Sequence, residues 1–147
     1  MTREFHVPAT VQQPRAERLT DHLVQHARTA PSAILLSRRA AGVWQDMSAV
    51  EVLEQVQALA RGLVARGVGV GDRVGLMSRT RYEWTLLDYA LWYAGAVPVP
   101  IYETSSAEQV EWILSDSGAV GVVVESDRHA DLVATVRDRL PHLRHVD

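Results

Sequence analysis

His22 and His26 stand four residues apart, a spacing that sets two imidazoles on one helical face where they could share a metal ion. A closed zinc site takes four ligands. Neither the adjacent Asp21 nor the scattered His129, His142 and His145 completes such a set, so a solvent-facing pair is the expectation. The cluster Gly67-Val68-Gly69-Val70-Gly71 has the glycine density of a phosphate loop. A dinucleotide loop, however, follows a strand and opens a helix, so that the phosphate meets the helix N-terminus. These glycines follow a predicted helix and lead into a predicted strand, which is the order of a helix C-cap and a turn. Ser78-Arg79-Thr80 comes after a strand and is the better placed group for holding a phosphate.

Two carboxylates invite attention. Asp88 sits in an otherwise apolar helix and Asp116 on another; a buried acid with a raised pKa can act as a catalyst. The plainer expectation is an ion pair, with Arg79 or Arg81 as the partner of Asp88. Tyr82, Trp84, Tyr89, Trp92, Tyr93 and Trp112 could line an acyl pocket, but at helical spacing the default is core packing. The chain has no Gly-x-Ser-x-Gly elbow and no Ser-His-Asp arrangement to support acyl transfer from a serine. It has no Cys, which removes disulfides, thiolate metal sites and cysteine nucleophiles together. All 15 of its Lys+Arg residues are Arg, so no lysine can neutralise a phosphate or form a Schiff base.

The net charge of −3 argues against nucleic acid as the main partner. No apolar run approaches the roughly 20 residues of a membrane span, and residues 1–8 lack a signal-peptide core. The expected location is the cytoplasm, with the surface of the inner membrane as the variant. The 147 residues suffice for one domain or a large part of one.

The elements that must position these residues follow from periodicity. Residues 1–18 read as an extended lead-in, and residues 19–147 as the folded part. Thr20 is a candidate N-cap for a first helix with Leu23, Val24 and Ala27 on one face and Pro31 beyond it. Ala33 to Leu36 and Val43 to Gln45, joined at Ala41-Gly42, read as a hairpin. Ser48 and Glu51 form a capping box, with Met47 and Val52 as its staple, ahead of a long apolar-striped helix closed by Gly67. Arg73–Met77 reads as a strand. Thr80 with Glu83, and Ser105 with Glu108, read as two further capping boxes. The first opens an all-round apolar helix to Ala94, the second a helix ending before Gly118. Val97–Ile101 carries two prolines, as an edge strand can, and Val120–Val124 reads as a strand buried on both faces. A last helix is expected over Asp127–Leu140, and Leu143–Val146 reads as the beginning of another strand. Strands alternating with crossover helices predict an α/β fold of parallel βαβ units with a short N-terminal hairpin.

Val70-Gly71-Asp72-Arg73-Val74-Gly75-Leu76-Met77-Ser78-Arg79-Thr80-Arg81-Tyr82-Glu83-Trp84 resembles the adenylate-forming (AMP-binding) superfamily. So does Tyr93-Ala94-Gly95-Ala96-Val97-Pro98-Val99-Pro100-Ile101-Tyr102-Glu103-Thr104-Ser105-Ser106, whose Tyr-Glu-Thr-Ser-Ser turn is most similar to bacterial long-chain fatty acyl-CoA synthetases. Trp44-Gln45-Asp46-Met47-Ser48 resembles the family's first core region, and the likeness runs from about Leu19 to Glu125.

The resemblance implies part of the large N-terminal domain of a two-step ligase. That enzyme would use ATP and Mg²⁺ to make an acyl-adenylate from a fatty acid, then pass the acyl group to CoA. It also implies that this chain is incomplete, because the Ser/Thr/Gly-rich loop ending in Lys, the acidic ribose motif and the lysine of the mobile domain have no counterpart here. None of the three groups is expected to bind productively to the chain alone. The missing remainder of the ligase is the implied partner. By the same match Tyr102, Glu103 and Thr104 lie at the turn beside the CoA channel, and Arg128 could meet a CoA phosphate. A stand-alone small-molecule, nucleotide-binding or interaction domain of α/β fold is the competing reading.

Overall fold

β-branched and aliphatic residues at the centre of the chain assemble a parallel sheet, seen in a computed structural model that describes residues 7–8 and 17–147. Most of the expected lead-in lies outside the described residues. The elements are α1 (Asp21–Thr29), β1 (Ile34–Ala40), β2 (Val43–Ser48), α2 (Ala49–Ala65), β3 (Arg73–Met77), α3 (Tyr82–Tyr93), β4 (Val97–Ile101), α4 (Ala107–Ser117), β5 (Gly121–Val124), α5 (Asp127–Ala134), a single 3₁₀ turn (Arg137–Arg139) and β6 (His145–Val146). β3 to β6 form one parallel sheet in the order β4-β3-β5-β6, and β1 and β2 form a separate antiparallel hairpin. The α/β class, the parallel units and the hairpin are as the sequence pattern predicts.

Alternation along β3 divides the core. Val74 and Leu76 turn to one face and pack with Leu91 and Ala96. Met77 turns to the other, with Ile101, Val110, Leu114, Val122 and Val133. Gly75 shares that second face. A Cβ placed there would lie 2.9 Å from Leu114 Cδ2 and from Val122 Cγ2, so only a glycine lets α4 settle this closely on the sheet. α3 is apolar all round because it is covered on two sides. Leu87 and Leu91 meet the sheet, while Leu86 and Tyr89 meet Leu23, Val52 and Val56 of α1 and α2.

The local signals are mostly kept. Ser48 and Glu51 make the reciprocal capping box, and Met47 and Val52 meet in one cluster as a staple requires. Gly67, Gly71 and Gly95 take positive φ of 87°, 80° and 80° at turns from helix into strand, so the glycine cluster is a C-cap and turn. Ala41 and Gly42 both have positive φ, as a two-residue hairpin turn demands. β4 is an edge strand. Val97 sends its N–H to Asp72 O at 2.8 Å, so the alternate positions, Pro98 and Pro100, face the open side where no donor is needed.

Five local expectations need correction. Thr20 has helical φ and ψ and caps nothing; Arg18 N donates instead to Asp21 Oδ2 at 2.9 Å. β1 runs on to Ala40, because Ser37 Oγ donates to Asp46 (2.6 Å) and Arg38 Nε to Gln45 (3.2 Å) across the hairpin, a polar pairing that apolar alternation does not reveal. Thr80 does not cap α3. The helix enters at Arg81 without a side-chain cap, and Glu83 turns onto Arg81 Nε at 2.6 Å. The next box is shifted by one residue, from Ser105/Glu108 to Ser106/Gln109, because the Ser105 N–H is taken by Tyr102 O in a tight turn. The last helix stops at Ala134, where the Thr135 hydroxyl donates to Leu132 O (2.7 Å), and the chain reaches Leu140 through the 3₁₀ turn.

Gly75→Ala is expected to cost about 1–3 kcal/mol by overpacking between β3 and α4. Equilibrium urea unfolding checks it; a variant as stable as the parent would mean that α4 is free to withdraw.

Candidate functional site

In an open α/β sheet, ligands gather at the carboxyl ends of the strands where the chain reverses its direction of travel. Here the chain steps outward from β3 to β4, then crosses back to β5 on the other side of β3. The reversal therefore falls between β3 and β5. A crevice lies there, with an apolar floor of Leu76, Trp84, Leu87 and Val123 and a rim of Ser78, Arg81, Glu83 and Glu125.

Glu125 closes that crevice. It continues the ladder, donating its N–H to Met77 O at 3.0 Å, and its side chain is only 8% exposed. Its carboxylate accepts from the Arg79 backbone N–H (2.9 Å), from Arg79 Nη2 (2.7 Å) and Nε (3.1 Å), and from Arg81 Nη1 (3.2 Å). These bonds, those from the Arg79 side chain foremost, hold its pKa at about 2, well below the ordinary 4.5. Arg79 is pushed up by the same pair, and Arg81 chiefly by its bond to Glu83.

The Ser78-Arg79-Thr80 segment therefore sits where a phosphate loop would, but the Ser78 hydroxyl and the Arg79 amide and guanidinium are engaged. A phosphate would have to displace a buried carboxylate from both the Arg79 amide and its guanidinium. The expected pairing of Asp88 with Arg79 or Arg81 is not formed, because both arginines are turned to glutamates at the sheet edge. Asp88 is 8% exposed, and desolvation raises its pKa. Asp116 is exposed on α4.

The other loops of this edge carry the remaining predicted residues. Tyr102 is 81% exposed, Thr104 is exposed, and the Glu103 carbonyl meets His129 Nε2 at 3.2 Å. Arg128 is exposed at the start of α5, with no carboxylate in ion-pair distance among the described residues. The loops after β3 and β5 are joined through Glu125, and the turn after β4 is joined to α5 through His129.

His22 and His26 lie away from this edge, beside an apolar hollow lined by Leu23, Leu35, Leu36, Val52 and Leu86. His26 Nδ1 bonds the His22 carbonyl at 2.9 Å, and His22 Nε2 is 3.5 Å from Glu17. Among the described residues no group of three or more potential ligands gathers around a metal position.

The aromatic residues divide. Tyr82 donates its hydroxyl to Gln55 (3.0 Å) under the Arg38 guanidinium, and Tyr89 and Trp92 meet edge-to-face at 5.2 Å. Trp84 floors the crevice. Trp112 is 66% exposed, so it is not a core residue. It falls on the side of α4 away from Val110 and Leu114, which are buried.

Glu125 and His129 were not singled out by sequence reasoning as members of this edge. The available signal was an acid directly after a buried strand, in the same sheet as a strand followed by Arg79.

The sequence profile of the AMP-binding enzyme family matches residues 23–147. The chain is 45% identical over 98% of its length to the long-chain-fatty-acid–CoA ligase FadD15 of Mycobacterium bovis, yet spans 24% of that protein. A shorter relative, the uncharacterized protein Rv1549 of Mycobacterium tuberculosis, is 33% identical over 89% of this chain and 75% of its own length. Among solved structures, the N-terminal domain of FACL13 from Mycobacterium tuberculosis superposes with a TM-score of 0.77 at 27% identity, covering 88% of this chain and 33% of that one.

A depressed carboxylate pKa contributes stability that is present above the unfolded value and is lost as pH falls through the folded one. For Glu125 that window runs from about 4.5 down to about 2. Glu125→Gln is expected to lower the urea midpoint at neutral pH and to flatten the loss of stability across that window. Unfolding curves taken at several pH values check it, and parallel profiles for parent and variant would contradict it.

Proposed function

The chain belongs to the AMP-binding enzyme family, and on that premise we propose that it supplies the N-terminal scaffold and one channel wall of a long-chain fatty acyl-CoA ligase. The observation that carries this reading is the identity of 45% over 98% of the chain, set against a span of 24% of the matched ligase. The complete reaction joins a carboxylate to the α-phosphorus of ATP, releasing pyrophosphate. The CoA thiol then attacks the acyl carbonyl and expels AMP. The first step brings one anion onto another, so it needs Mg²⁺ and fixed positive donors.

The residues at the carboxyl edge do not fit ATP and Mg²⁺. Arg79 and Arg81 are matched by Glu125 and Glu83, and the sequence has no lysine. No step of adenylation is therefore assigned to this chain. CoA is a better match. The exposed Arg128, without an ion-pair partner among the described residues, can meet a phosphate, and the exposed Tyr102 and Thr104 offer an aromatic face and hydroxyls on the neighbouring turn. Fatty acid, CoA and the rest of the ligase domain are the partners in this reading, and the cytoplasm is the location. No helix among the described residues is long and apolar enough to cross a membrane.

The second reading is a stand-alone interaction or binding domain. The short mycobacterial relative favours it, since the likeness there covers most of both chains.

Purified chain given fatty acid, ATP, Mg²⁺ and CoA is expected to release no pyrophosphate above the blank; turnover would refute the assignment of the chemistry elsewhere. The constructive test replaces the matching segment of the FadD15 ligase with this chain. The chimera is expected to form acyl-CoA, and Thr104→Ala within it to raise the KM for CoA by about three- to tenfold with little change in kcat. A folded but inactive chimera would favour the stand-alone domain.

A further inference from the structure

His129 is a histidine in a place where packing alone would be better served by an apolar side chain. It occupies the third position of α5, 8% exposed, and its Nδ1 is buried with no hydrogen-bond partner. A buried polar atom left unpaired is costly and rare enough to need a cause. The cause lies at the other ring nitrogen. Nε2 is 3.2 Å from the Glu103 carbonyl oxygen, which can only accept. Nε2 therefore carries a proton and donates it, and Nδ1 is the nitrogen left without a partner among the described residues.

The bond it makes has no substitute. The turn after β4 leaves an edge strand whose outer side is unpaired, and Ser105 N to Tyr102 O at 3.0 Å is internal to the turn. Among the described residues, the contact with His129 is the one hydrogen bond from Glu103 or Thr104 to another element. A second, looser tie is electrostatic: the Glu103 carboxylate contributes to the field that raises Arg79.

We propose that His129 is a positioning residue: its Nε2–H, donated to the Glu103 carbonyl, fastens the Tyr102-Glu103-Thr104 turn to the start of α5. His129 directly follows Arg128, so one bond sets the turn and that arginine at a constant separation. Residues 26 apart in sequence thereby form a single rigid wall. What that wall contacts rests on the CoA reading above; the latch itself does not.

The test uses the 147-residue chain and no ligand, so its failure is separate from failure of the CoA assignment. Amide hydrogen exchange of Ser105, whose N–H is bonded within the turn, is compared with that of Leu76 and Val122 in the core. His129→Leu fills the space without a donor, and is expected to speed exchange at Ser105 by about three- to tenfold while core amides shift less. His129→Gln puts an amide N–H near the Nε2 position and is expected to restore slow exchange. Unchanged turn exchange in His129→Leu would overturn the proposal. So would a uniform rise across turn and core that Gln fails to reverse, which is the signature of packing alone. Nitrogen-resolved NMR of the unsubstituted imidazole needs no variant: a proton on Nε2 is expected, and an Nε2 without one would overturn the proposal.

Discussion

The carboxylate of Glu125, drawn into the gap between β3 and β5 by Arg79 and Arg81, is the interaction on which the carboxyl edge of this sheet depends. Adjacent parallel strands present their ends side by side, and the loops beyond them are free to diverge unless something ties them. Here an acid one residue past β5 takes the amide and the guanidinium of Arg79, two residues past β3. The tie sits at the reversal point of the sheet, where an α/β protein would ordinarily admit a ligand. It converts that opening into structure. Charge is balanced within the cluster, so Arg79 and Arg81 offer no net positive charge to a nucleotide.

The tie works because the elements behind it are held firmly. Gly75 lets α4 descend onto one face of β3, and Leu76 anchors the other face against α3. α3 is pressed from behind by α2 and the first helix through Leu86, Val52 and Val56. Its N-terminus, where Arg81 stands, is consequently fixed relative to β3. The same logic applies one strand outward, where β4 has no outer neighbour among the described residues and its turn leans on His129 instead. The loops at the carboxyl edge are thereby held in a fixed, preorganised shape.

The fold was legible where the cause is local. Ser48 and Glu51 state a helix start in four residues, Gly67 states its end, and two alternate prolines state an edge strand. Legibility failed where two local answers overlap. Ser105/Glu108 and Ser106/Gln109 are both acceptable capping boxes, and the choice was made by the Tyr102–Ser105 turn. It failed again where residue type was weighed ahead of angle, as with Trp112, which is aromatic but faces away from the buried stripe of α4. The site was the least legible part. Arg79 and Arg81 were visible as cations seeking an acid, but the choice of Glu125 over Asp88 depends on β3 lying beside β5, a pairing 46 residues away in sequence. Periodicity carries no record of strand order.

Glu125 must be a charged, engaged carboxylate for this edge to hold together, and the direct measurement is a carbon-13 NMR titration of its side-chain carboxyl in the intact chain. The expected midpoint lies near 2, with the Arg79 amide resonance moving over the same range as its acceptor is protonated. A midpoint near the ordinary 4.5, with the Arg79 amide indifferent to it, would mean that the crevice between β3 and β5 is open and its arginines free to hold a phosphate.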